Sequence, residues 1–129
     1  MKILEPSKNI TNIISLIENA KQFVVLVSPY TNLEGWNKLK AAINNASLRG
    51  IDVSYYVREG GGLEGTEELD VKKIEVPMLH AKMFFSENRA IISSFHLMNN
   101  QDVNWAYTLD YPKEYKQLID FFEKYIAID

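Results

Sequence analysis

Apolar residues at Ile10, Ile13, Ile14, Ile17 and Ala20 recur three and four positions apart, the period of one helix face, behind Ser7 and Asn9 as candidate N-caps. The run FVVLVSPY, residues 23 to 30, lacks that period. Its continuous β-branched character predicts a strand covered on both faces, ended by Pro29, which has no amide to donate. Helical spacing returns at Trp36, Leu39, Ile43 and Ala46, with Gly50 where a C-cap belongs, and IDVSYYV then predicts a second strand. Strand, helix and strand with short joints make a right-handed crossover, so these two strands are expected to run parallel.

The stretch REGGGLEGTEELD, residues 58 to 70, carries so much glycine and charge that it reads as a mobile surface loop that does not pack. Beyond it, short alternating runs predict strands at about 72–76, 81–86, 89–94 and 104–110, the middle pair joined by a turn at SENR. Tyr115, Leu118, Ile119, Phe122 and Ile126 share the face of a closing helix, with Pro112 near its first turn. No repeat or linker divides the chain. The expected fold is α/β: one domain over residues 1–129, a mixed β-sheet with flanking helices.

Composition changes this picture little. A chain of 129 residues with 47% hydrophobic content can bury one core without staples. The absence of cysteine excludes disulfides and thiolate catalysis, and leaves a zinc site only two histidines and carboxylates, so neither a metal nor another cofactor is expected. A net charge of −3 does not advertise nucleic-acid binding, although a local basic groove is compatible with it. MKILEPSKN has no signal-peptide character, and no run reaches the roughly 18 apolar residues of a membrane helix. A cytoplasmic protein without a membrane anchor is expected.

The candidate chemistry lies in LHAKMFFSENRAIISSFHLMNN, residues 79 to 100, which holds both histidines of the chain. On an extended segment His80 and Lys82 project from the same side and can meet one phosphate. Imidazole is a competent nucleophile toward phosphorus near neutral pH, and a fixed ammonium holds the non-bridging oxygens as charge develops. A lysine two places after one of two histidines arises by chance in roughly one such sequence in seven, so the pair needs support from its surroundings.

The surroundings resemble the motif of the phospholipase D superfamily: His-x-Lys, four residues, Asp, about six residues, then Gly-Ser and a nearby Asn. His80 and Lys82 match, Glu87 stands at the Asp, and Ser93-Ser94 stands for Gly-Ser after a spacer one residue shorter. The resemblance spans nearly the whole chain: IISLIENAKQFVVLVSPYTN looks like the opening helix and strand, LKAAINNASLRGIDVSYYV like the crossover, and YPKEYKQLIDFFEKYI like the closing helix. It implies a phospholipase D-like half in which His80 attacks phosphorus to form a phosphohistidine, Lys82 grips the phosphate oxygens and Ser94 adds a polar contact. A second imidazole would protonate the leaving group and activate water. Members with one motif form symmetric dimers around a shared site, so a homodimer is the implied assembly.

Two positions depart from the family pattern. His96 stands where an Asn normally donates to the phosphate, and a histidine can donate there too. In single-motif nucleases an Asn-x-Glu supplies the carboxylate that holds the catalytic imidazole, whereas this chain reads Asn104, Trp105, Ala106. Losing an orienting carboxylate costs on the order of 10⁴ in rate, by analogy with serine proteases. Asp102, Asp110 and Glu87 are the candidate substitutes, although Glu87 also fits an ordinary turn residue. Tyr30, after the first strand, and Asn104 are candidate substrate contacts. Trp36 and Trp105 could stack on bases but suit a core or interface equally, and Lys72 and Lys73 suit either a basic patch or a solvated strand edge. The expected function is a metal-independent phosphodiesterase, a nuclease acting on nucleic acid, with a catalytically degenerate module binding nucleic acid or protein as the alternative.

Overall fold

The computed structural model describes residues 1–61, 63–98 and 103–127. Its elements run β1 (Lys2–Ile3), α1 (Asn9–Glu18), β2 (Phe23–Val27), β3 (Thr31–Asn32), α2 (Asn37–Leu48), β4 (Asp52–Arg58), β5 (Leu63–Glu64), β6 (Lys72–Val76), β7 (Met83–Ser86), β8 (Ala90–Ser93), β9 (Leu97–Met98), β10 (Ala106–Thr108) and α3 (Pro112–Tyr125). Seven strands form a mixed sheet in the order β1-β10-β8-β7-β2-β4-β6, and β5-β3-β9 form a small parallel sheet.

The crossover is as the residue pattern predicts: β2 pairs parallel with β4 through α2. Gly50, at φ +85°, adopts the left-handed conformation that ends α2. The amides of Gly50 and Ile51 donate to the carbonyls of Ser47 and Ala46, which satisfies the last turn of the helix. Alternate residues of β2 point to opposite faces, and both faces are covered. Val24 and Leu26 meet Ile13, Leu16 and Ile17 of α1 with Leu39 and Ile43 of α2, while Val25 and Val27 meet Leu118, Phe122 and Ile126 at α3. Each such fully buried side chain contributes about 1.5–3 kcal/mol.

The glycine-rich segment corrects the expectation of a loop that does not pack. Thr66 and Leu69 are buried, Leu69 within the main core, and β5 pairs with β3. The glycines serve close approach. A side chain at Gly65 would put its Cβ 2.5 Å from the amide nitrogen of Glu34, and one at Gly61 would lie 2.6 Å from the carbonyl oxygen of Pro29. A second difference is β1, which pairs with β10 and has no signal in the sequence because two exposed residues carry no periodicity.

Candidate active site

Strand direction decides where the chemistry sits. β2 and β4 run parallel and β7 runs antiparallel to β2, with Met83 opposite Val27. Residues 80–82 therefore extend past the carboxyl end of β2, beside Ser28 to Tyr30. Ligands of open α/β sheets bind at such ends. The segment is not a strand, which begins only at Met83, although the Ser93 amide still donates to the Lys82 carbonyl at 3.2 Å. Met78, at φ +59°, makes the turn from β6 into it, and Arg58 at the end of β4 donates from Nη1 to the Leu79 carbonyl at 3.3 Å.

His80 and Lys82 share one side, as alternation requires. Lys82 Nζ lies 3.3 Å from His80 Nδ1, and His80 is exposed. An ammonium donates and cannot accept, so in this contact Nδ1 is the acceptor and the imidazole proton lies on Nε2. Lys82 must move to phosphate oxygens before that lone pair is available. Burial pushes the Lys82 ammonium below its usual pKa, which makes an anion a welcome neighbour.

The structure brings His96 to the same place. Its ring centroid is 6.1 Å from that of His80 and 5.1 Å from that of Tyr30, both edge to face. Ser28 fixes this arrangement from beneath, its Oγ accepting the Leu97 amide at 2.7 Å and donating to the Tyr30 carbonyl at 2.7 Å. Burial lowers the His96 pKa, and the nearby Lys82 and His80 lower it further. Among the described residues His96 Nδ1 is enclosed without a hydrogen-bond partner.

No protein-family model and no curated protein matches this sequence. Solved structures do match. Over 95% of this chain it is similar to the phospholipase D family member Nuc from Salmonella typhimurium, at 15% identity, 90% of that chain and a TM-score of 0.68. It is similar to NucT from Helicobacter pylori at 12% identity, covering 95% of this chain and 92% of that one, with a TM-score of 0.72. A phosphatidylserine synthase from Haemophilus influenzae matches 98% of this chain with 37% of its own length, at 14% identity and a TM-score of 0.68. The chain has the phospholipase D superfamily fold.

On that phospholipase D fold the remaining motif residues separate by location. Ser94 is bound to the strand entering β10: its Oγ accepts the Trp105 amide at 3.0 Å and lies 3.2 Å from Asn104 Oδ1. Asn104 is thus held by Ser94, and by Asn9, whose Nδ2 donates to its carbonyl. Ala106 is fully buried in the main core, paired with Ser93. The substitute carboxylates do not reach His80. Glu87 lies at the opposite end of the sheet, accepting the amides of Lys21, Gln22 and Phe23 at 2.9, 3.0 and 3.2 Å, and Asp110 accepts from Thr108 Oγ1 at that same end. Asp102 falls outside the described residues.

Lys72 and Lys73 also sit away from the site, at the start of β6, where Lys72 pairs with Asp52 and Lys73 donates to the Thr66 carbonyl. They form a strand edge rather than a patch around His80. Among the described residues no three His, Asp or Glu side chains converge as a metal set. Sequence reasoning missed Ser28 and Arg58, which act on backbone groups distant in sequence. Only the position of Ser28 at the end of a buried strand could have marked it.

Proposed function

We propose that this protein is a metal-independent phosphodiesterase that cleaves nucleic acid through a phosphohistidine on His80. The observation that carries this reading is the cluster itself: Lys82 Nζ is 3.3 Å from His80 Nδ1 and a second imidazole lies 6.1 Å away, at the carboxyl end of the strands. Lys82 grips the phosphate, which draws it off His80, and the freed imidazole attacks phosphorus. Tyr30 forms one wall of the site, half exposed beside His96. Small single-motif members of the superfamily resemble bacterial endonucleases, which makes DNA the first substrate to test. No described helix is long and apolar enough to cross a membrane.

One motif per chain supports a homodimer in which a second copy's His80 faces the same phosphate. A solution mass near one 14.9 kDa chain by light scattering at micromolar concentration would remove that assembly. A second reading, a catalytically degenerate binding module, is favoured by Ala106, fully buried where the family carries its orienting carboxylate. Cleavage of single- and double-stranded DNA in excess chelator separates the two. Activity that survives chelation and vanishes in His80→Ala is the expected result, and no cleavage of DNA or of bis-p-nitrophenyl phosphate by the native protein would leave the binding module.

A further inference from the structure

We propose that Arg58 is a positioning residue of the site: its guanidinium holds the peptide that carries His80 and so sets where the nucleophile stands. The inference rests on the phosphodiesterase reading and concerns how the nucleophile of that site is aimed within each copy of the chain. The need for such a residue follows from the backbone. β6 ends at Val76 and β7 begins at Met83, so His80 is carried between two strands rather than on one. Among the described residues one side chain bonds the backbone of this stretch, Arg58, whose Nη1 donates to the Leu79 carbonyl at 3.3 Å. That carbonyl belongs to the same planar peptide as the His80 amide, so the bond fixes the plane from which the imidazole projects.

Two strands place Arg58 for this role. It closes β4 opposite Val76 of β6, and its amide donates to the Pro29 carbonyl, just past the end of β2, at 3.0 Å. One residue thus ties together the two segments that frame the site, residues 28–30 through its main chain and residues 79–80 through its side chain. None of the ion pairs among the described residues includes Arg58, so this half-buried guanidinium is engaged by a carbonyl rather than by a carboxylate. A charged donor makes that bond stronger than a neutral one would. The turn it secures is strained. Met78, two residues before His80, is exposed and adopts φ +59°, a conformation that glycine would take without strain. Left-handed residues other than glycine persist where their surroundings over-determine them, and they gather at functional sites. After Met78 the chain is held by the Leu79 side chain, buried in the core beside Phe122 and Ile126, and by Arg58 on the Leu79 carbonyl. Without the second hold the turn can relax and carry the imidazole away from the end of β2.

The test compares the native protein, Arg58→Met and Arg58→Lys on bis-p-nitrophenyl phosphate, with activity measured per folded molecule. Beside it runs the imidazole NMR signal of His80, which His80→Ala identifies because the chain has only two histidines. Met keeps most of the stem and loses the donor, whereas Lys keeps a donor. The expected result is that Arg58→Met lowers kcat on the order of 10- to 10²-fold with KM unchanged, the cost of a nucleophile misplaced by about 1 Å. In the same variant the His80 signal should move towards that of a histidine in an unfolded chain, and Arg58→Lys should restore part of both. A raised KM at native kcat would overturn the proposal, since Arg58 would then hold substrate charge directly. Native kcat in Arg58→Met, or a His80 signal that stays in place, would overturn it as well, as would equal losses in Arg58→Lys and Arg58→Met. If the native protein itself cleaves nothing, the phosphodiesterase reading falls, while the His80 signal still decides whether Arg58 aims that imidazole.

Discussion

Where β2 begins, the Glu87 carboxylate accepts three backbone amides, Ser86 Oγ accepts the amides of Asn88 and Arg89, and the Tyr115 hydroxyl donates to the Ser86 carbonyl at 2.6 Å. Where β2 finishes, Lys82 meets Nδ1 of His80, and His96 keeps an enclosed nitrogen unpartnered among the described residues. Both ends bring ionisable groups out of bulk water. At the first end the backbone answers the charge, so the group stabilises the fold. At the second the charge is opposed by burial, so the group is poised for an anion that comes from outside.

The sharpest way to break this comparison is Lys82→Met. Removing a charge that burial already opposes should leave thermal stability unchanged, while phosphodiester cleavage falls on the order of 10² to 10³, the usual cost of losing one oxyanion-type donor. Measuring kcat/KM on bis-p-nitrophenyl phosphate beside the unfolding temperature separates the effects. Should stability fall in step with activity, Lys82 would belong with the structural groups, and the contrast between the ends would be lost.

Much of the fold was legible because its signals are local and periodic. The β2-α2-β4 crossover, the strand at 72–76 and the closing helix each carry a hydrophobic period or a cap that needs no knowledge of distant partners. The glycine-rich segment was misread because glycine density signals freedom only when nothing approaches the missing side chain, and here the Pro29 carbonyl and the Glu34 amide do. His80 and Lys82 were legible as a pair two residues apart on extended chain. That His96 joins them was not, because it depends on Ser28 pinning the Leu97 amide across 69 residues of sequence. Glu87 stands in the turn between β7 and β8, in keeping with its reading as a turn residue, but its partners, 64 to 66 residues away, carry no local signal.

Glu87 offers the smaller but cleaner test, at the other end of the sheet. Burial alone would raise its pKa, but the amides of Lys21, Phe23 and Gln22 outweigh that and hold it below the ordinary 4.5. A carboxylate whose pKa is depressed in the folded state binds fewer protons there than in the unfolded chain, so its stabilisation is full above the unfolded value and disappears as pH falls through the folded one. Glu87→Ala should therefore cost about 1–3 kcal/mol of stability at neutral pH, from amides left to solvent or unpaired, with activity per folded molecule unchanged. The gap between the native protein and the variant, followed by urea unfolding, should close as pH drops below about 4.5. If instead Glu87→Ala impairs cleavage while leaving stability intact, the carboxylate acts on His80 across the sheet, and the division of labour between the two ends is wrong.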